Sequence, residues 1–169
     1  MPLTSVIEHY DPAWPLRYEE AVAYLRPTVG SSLLAIHHVG STAVPQLAAK
    51  PEIDILIVVT PASADHDWSG RLSTHGYRRG GDLSTGHQFY KRDAGGVRTH
   101  KLHVCVEGHP EIARMLRFRD LLRDDDLLRA EYAALKLMLE RTKSDGIDEY
   151  PRKKAPFIDD ALATDSSAN

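Results

Sequence analysis

His38-Val39-Gly40-Ser41-Thr42 and, after a short loop, Lys50-Pro51-Glu52-Ile53-Asp54-Ile55-Leu56-Ile57 decide how this chain reads. An apolar strand runs into Gly-Ser. A second apolar strand opens with two carboxylates spaced i, i+2. Side chains on a strand alternate faces, so Glu52 and Asp54 point the same way. A Gly-Ser turn offers backbone N–H groups and a hydroxyl to phosphate oxygens. Carboxylates beside a phosphate suit a hard divalent ion, Mg²⁺ first and Mn²⁺ second. Together these residues compose a candidate nucleoside triphosphate site, with Lys50 placed to neutralise a phosphate or to pair with Asp54 or Glu52. A carboxylate inside Ile53-Asp54-Ile55-Leu56-Ile57 is costly to bury without a partner, which makes Asp54 the sharpest candidate.

Outward from this stretch, the pattern predicts an α+β fold. Trp14 to about Arg26 reads as a helix with Pro15 near its start and Pro27 at its end. Leu16, Val22, Ala23 and Leu25 form its partial apolar stripe. Ser32–Val39 and Ile53–Val59 read as buried central strands, with helices against one face of their sheet. Asp65–His75 is expected to be helical, closing at Gly76. Thr85–Lys91 and Val97–Glu107 are two further strands, joined through Arg92-Asp93-Ala94-Gly95-Gly96. From about residue 109 the pattern is helical. Glu111–Arg123 is followed by a helix opened by Asp124-Asp125-Asp126, with Leu128, Tyr132, Leu135 and Leu139 on one stripe. A last helix begins near Tyr150. The polar tail at 163–169 is expected to fray.

Composition narrows the rest. A length of 169 residues suits one domain with a proper core. A net charge of −3 gives no general drive toward nucleic acid or an anionic membrane, so any phosphate site is local. The single Cys105 excludes an internal disulfide framework and a multi-cysteine zinc site, and a reducing cytoplasm is the simplest compartment. No apolar run approaches the ~20 residues of a membrane span. Met1-Pro2-Leu3-Thr4-Ser5 lacks the basic and apolar regions of a secretory leader. Oligomeric state is not legible.

His100 and His103 have an odd separation, which puts them on opposite faces of a strand. His103 shares a face with Lys101 and Cys105. His37 and His38 are adjacent, so one faces in and one out. His9, His66, His75, His87 and His109 look scattered and carry no assignment. Arg117, Arg119, Arg123, Lys136 and Lys154 lie on the C-terminal helices, where a solvated face is the ordinary use of such cations.

The combination of Tyr10-Asp11-Pro12-Ala13-Trp14-Pro15, His38-Val39-Gly40-Ser41-Thr42-Ala43-Val44-Pro45, Lys50-Pro51 with Ile53-Asp54-Ile55, Arg98-Thr99-His100 with Leu102-His103-Val104, Phe118-Arg119-Asp120, and Tyr150 with Lys154 resembles the GrpB family of the nucleotidyltransferase superfamily. The resemblance runs from about Ile7 to Leu162. It implies a nucleotidyltransferase-like mixed sheet and an activity transferring a nucleotidyl group from a nucleoside triphosphate to an unknown acceptor. It also implies that Asp54, with Glu52 and His103, holds a divalent metal. His38, Gly40, Ser41, Thr42, Lys50, Arg119, Lys136 and Lys154 would hold the nucleotide. Two departures matter. The family's position matching Glu52 is often apolar, and His103 stands where an active nucleotidyltransferase usually carries a third carboxylate. Loss of that hard ligand weakens a two-metal arrangement. The alternative is a catalytically silent nucleotide- or CoA-related binding module, since family members are also found fused to dephospho-CoA kinases. A weaker third reading is a single transition metal on His103 and Asp54.

Overall fold

The computed structural model describes residues 5–142 and 149–167. Residues 1–4, 143–148 and 168–169 lie outside them. The described chain folds as α1 (Ala13–Val29), β1 (Leu33–Val39), β2 (Ile53–Val59), α2 (Ser69–Ser73), β3 (Tyr77–Arg79), β4 (His87–Ala94), β5 (Val97–Val106), α3 (Pro110–Asp124), α4 (Asp126–Arg141) and α5 (Glu149–Ser167). The strands form one mixed sheet in the order β1-β2-β5-β4-β3. β2 and β5 run parallel, and the remaining neighbours are antiparallel. No helix of the described residues is long and apolar enough to cross a membrane.

Period-two alternation sorts β2 onto two faces. Ile53, Ile55, Ile57 and Val59 join Trp14, Leu25, Trp68, Leu72 and Tyr90 in one core under α1 and α2. Leu56 and Val58 join Val39 and Cys105 in a second core, against Ile112, Met115 and Leu116 of α3. Helices therefore cover both faces, not the one face expected. A third cluster, with Val44, Leu47, Leu122 and Tyr132, fastens α3 and α4 to the loop between β1 and β2.

Local chemistry explains the remaining differences. Pro27 sits inside α1, which runs on to Val29 and stops at Gly30 with φ 66°. Pro27 has no N–H to give the Ala23 carbonyl, so that helical bond is lost one turn before the end, while the Thr28 hydroxyl donates to the Tyr24 carbonyl at 2.7 Å. Leu16 is 65% exposed, so the buried stripe of α1 is Trp14, Ala21, Val22, Leu25 and Val29. The helix expected over Asp65–His75 shortens to α2. β3 had no sequence signal of its own and exists through its pairing with β4. The β4–β5 hairpin turns on Gly95 and Gly96, with φ 59° and 78°, a pair of values that side chains resist. Asp125 caps α4, its carboxylate accepting from the Leu128 N–H. The expected frayed tail is instead helical to Ser167, and Asp165 pairs with Arg117 at 2.7 Å.

Candidate functional site

Gly40 follows the last residue of β1, Val39, whose register partner on β2 is Asp54. Gly40 has φ 72°, and a Cβ built there would lie 2.9 Å from Asp54 Cβ and Cγ. Glycine is thus required twice over, by conformation and by the carboxylate beside it. The turn is fixed from beneath. His38 Nε2 bonds the Thr42 hydroxyl at 3.0 Å, which donates to the Glu52 carbonyl at 3.1 Å. The His38 ring stacks on Tyr18 at 4.8 Å. Burial, with Arg123 and Arg119 nearby, lowers His38 to about 4, so it is a neutral strut at pH 7.

The α3 arginines hold the same turn from above. Arg119 donates to the His38 carbonyl at 3.1 Å, and Arg123 grips the Ala43 carbonyl at 3.0 and 2.8 Å. Lys136 of α4 is 3% exposed, and its Nζ donates to the Ala48 carbonyl at 2.5 Å. Burial and Lys154 push Lys136 down to about 7. Lys50 pairs with Glu140 at 3.9 Å.

Asp54 and Glu52 share a face as expected, but they are used differently. Glu52 is 7% exposed and forms an ion pair with Lys101 at 2.5 Å, and it accepts from the Ser5 hydroxyl. Burial works to raise the Glu52 carboxyl, yet Lys101, Ser5 and Lys50 prevail and hold it below its usual range. Asp54 makes no hydrogen bond or ion pair among the described residues. Burial raises its carboxyl, with Glu52 adding to that and Lys101, Lys154 and Lys136 opposing. Lys101, the register partner of Asp54 on β5, was missed by the sequence reading. Both carboxylates together hold its ammonium above the ordinary lysine range against burial.

A cavity of about 520 Å³ opens over this face. Gly40, Ser41, Asp54, Lys101, Arg119 and Lys154 line one side of its chemistry. Leu83, Phe89, Met115, Phe118 and Ile158 supply an apolar complement. Tyr132 also lines it, its hydroxyl pushed up to about 12 by burial with the Ser41 hydroxyl pulling the other way. Burial and Lys101 bring Lys154 down to about 8. His103 lines the cavity too, but its Nδ1 lies 2.9 Å from His87 Nε2, and burial lowers it to about 3. His38, Thr42, Glu52, Lys50 and Lys136 are not among the lining residues. They brace the walls. Tyr150 sits in the first turn of α5, and its side chain lies outside the described residues.

The donor set can be tested against a divalent ion. Asp54 is an unpaired carboxylate at the cavity wall. Glu52 is neutralised by Lys101, and His103 is engaged by His87. One Mg²⁺ needing one or two carboxylates plus ligand phosphates fits this set. A two-ion arrangement does not, because a second hard oxygen donor is missing.

The family model described as GrpB protein matches residues 4–164. The chain belongs to the GrpB family. Among relatives, the UPF0157 protein YqkA of Bacillus subtilis is 36% identical over 149 residues, covering 88% of this chain and 43% of that protein. The UPF0157 protein BH1888 of Halalkalibacterium halodurans is 36% identical over 154 residues, covering 90% and 78%. A dephospho-CoA kinase of Mycolicibacterium paratuberculosis is 31% identical over 176 residues, covering 89% of this chain and 43% of the kinase. This GrpB-family chain therefore spans less than half the length of two of these relatives. The crystal structure of GrpB from Enterococcus faecalis matches with TM-score 0.83 at 32% identity, covering 92% of this chain and 94% of that one. Cid1, described with RNA terminal uridylyl transferase activity, matches with TM-score 0.55 at 13% identity, covering 80% of this chain and 42% of that one. That second likeness shows the nucleotidyltransferase-like fold alone.

Proposed function

We propose that this GrpB-family chain binds a nucleotide in the cavity over Asp54, with the phosphates at the Gly40-Ser41 turn and the base against the apolar walls. One observation carries the reading. A carboxylate with no ion-pair contact among the described residues, a glycine turn packed directly against it and the cations Lys101, Arg119 and Lys154 converge on one cavity. Apolar walls with a few convergent polar groups are the usual make-up of a small-ligand site. Asp54 would hold a Mg²⁺ arriving with a triphosphate, and that ion would supply charge neutralisation at the phosphates.

Lys154 and Lys101 would steady the phosphate charge, and Arg119 would keep the turn in place through the His38 carbonyl. Nucleotidyl transfer to an acceptor is the second reading. The free Asp54 carboxylate favours it, and the engagement of Glu52 by Lys101 weighs against it. Binding is thus the core of the proposal, and transfer an extension of it.

The test is calorimetry with ATP, UTP and CTP, with and without Mg²⁺ or Mn²⁺. At least one nucleotide is expected to bind the parent, and Gly40→Val to lose it. Ser41→Ala removes one hydroxyl bond and should weaken binding by about 0.5–1.5 kcal/mol. If folded Gly40→Val and Ser41→Ala bind as the parent does, Gly40-Ser41 is only a turn. If no nucleotide binds the parent, the reading fails.

A further inference from the structure

A second group of side chains lies on the same face of the sheet, away from Asp54. β4 and β5 pair so that His87 stands opposite Cys105. Directly opposed residues on neighbouring strands share a face and stand close together. β5 then ends, Gly108 with φ 84° turns the chain back, and His109 begins α3. That turn brings the His109 ring to 5.4 Å from His87, centroid to centroid. One ligand atom from each of His87, Cys105 and His109 lies within 4.8 Å of the others.

We propose that His87, Cys105 and His109 form a transition-metal site of the Zn²⁺ class. The donor chemistry excludes the hard ions considered for Asp54. Two imidazoles and a thiolate suit Zn²⁺ or Co²⁺, and three protein ligands leave a position open for water or a ligand. The surroundings fit such a centre. The ring of His103 meets His87 at 2.9 Å, the outer contact that orients a ligating imidazole. Burial, with His109 nearby, keeps His87 neutral at pH 7, which leaves a ring nitrogen able to ligate. His87 and His103 line the main cavity, which gives an ion a way in.

Loading has a stated proton balance. Cys105 is a buried thiol, pushed up to about 12 by burial and by Glu111. It must lose its proton to solvent as the metal–sulfur bond forms. His109 must also give something up. Its Nδ1 accepts from the Glu111 N–H at 3.1 Å, and its Nε2 lies 2.9 Å from the Ser84 hydroxyl. Ligation through either nitrogen displaces one of these bonds.

The experiment titrates the chelator-stripped full chain, under reductant, with Co²⁺ and then Zn²⁺. The expected result is a near-ultraviolet sulfur-to-cobalt charge-transfer band that saturates at one equivalent and is displaced by Zn²⁺. Cys105→Ser should abolish the band. His109→Asn should weaken Co²⁺ more than about 10-fold. Asparagine is itself a good N-cap, so that variant should keep α3 and its thermal midpoint. Zn²⁺ should raise the midpoint of the parent by mass action and leave that of His109→Asn in place. The charge-transfer band should persist in Asp54→Asn, because it reports the Cys105 sulfur alone. Absence of the band in the folded parent, its survival in Cys105→Ser, or unchanged affinity in folded His109→Asn would overturn the site.

Discussion

On the α1 side of β2, Ile53, Ile55 and Ile57 are sealed beneath Trp14 and Trp68. On the α3 side, the same strand sets Asp54 ahead of Leu56 and Val58. The neighbouring strands obey the same division. β5 gives Leu102 and Val104 to the first face, and Lys101, His103 and Cys105 to the second. One face is a core built to exclude water. The other trades part of its apolar area for groups that need partners, and those partners meet at a cavity. The difference teaches that stability and chemistry are separated here by a period of two residues, so single substitutions can address one without the other.

The largest expected effect lies on the sealed face. Ile55 is fully buried, and Ile55→Ala should cost about 2–5 kcal/mol in urea unfolding. Nucleotide affinity, corrected for the folded fraction, should not change. A large affinity loss in the folded variant would break the separation of the faces. Next comes Lys101→Met, which keeps the stem and removes the ammonium from Glu52. Breaking a fully buried pair costs about 3–5 kcal/mol, and the Lys101 side chain is 34% exposed, so about 1–3 kcal/mol is expected. Adding Glu52→Gln should restore most of that loss. Additive losses would show that Lys101 and Glu52 are not coupled.

The division between faces was legible in the sequence because it rests on local alternation. Ile53–Val59 was bounded as found, and Gly40 and Asp54 were singled out from neighbours in the chain. What escaped depends on distant partners. Glu52 reads as a metal ligand until Ser5 and Lys101 are seen on it. Lys136 reads as a phosphate cation, yet it is spent on the Ala48 carbonyl 88 residues away. β3 is three residues long, too short for periodicity. His87 and His109 look scattered until the β4–β5 register and the Gly108 turn bring them to Cys105. The signal that was present is the His103–Cys105 spacing, which already put an imidazole and a thiol on one face.

Acid should test both faces at once. Burial lowers His100, on the α1 side, to about 4 and His103, on the α3 side, to about 3. Unfolded histidine titrates near 6.5. Between these values the unfolded chain binds more protons than the folded one, so stability rises with pH across that window. It is present in full above about 6.5 and is lost as pH falls toward 4 and then 3. Each ring is partly exposed, so about 1–2 kcal/mol apiece is expected after discounting for solvent. Urea unfolding from pH 7 to 4 should show the slope, and His100→Gln and His103→Gln should each flatten it. A slope unchanged in both variants would place the acid sensitivity elsewhere.

The smallest effect is the most telling about the cavity. Burial raises the Asp54 carboxyl against the pull of Lys101, Lys154 and Lys136, so the folded chain disfavours its charged form relative to the unfolded chain. A raised acid is a liability above its unfolded value, near 3.9, and the liability vanishes below it, where both states carry the proton. Asp54→Asn keeps the shape beside Gly40 and removes the charge. Lys101, Lys154 and Lys136 oppose that burial cost, so Asp54→Asn should stabilise the fold slightly at pH 7 and not at all below about pH 4, where both states carry the proton. Divalent-dependent nucleotide binding should fall sharply in the same protein. A carboxylate kept for structure would behave in the opposite way, since its removal would strip a partner from the lysines and destabilise the fold. Loss of more than about 1 kcal/mol in Asp54→Asn, with unchanged nucleotide affinity, would therefore make Asp54 part of the scaffold and erase the contrast between the two faces of β2.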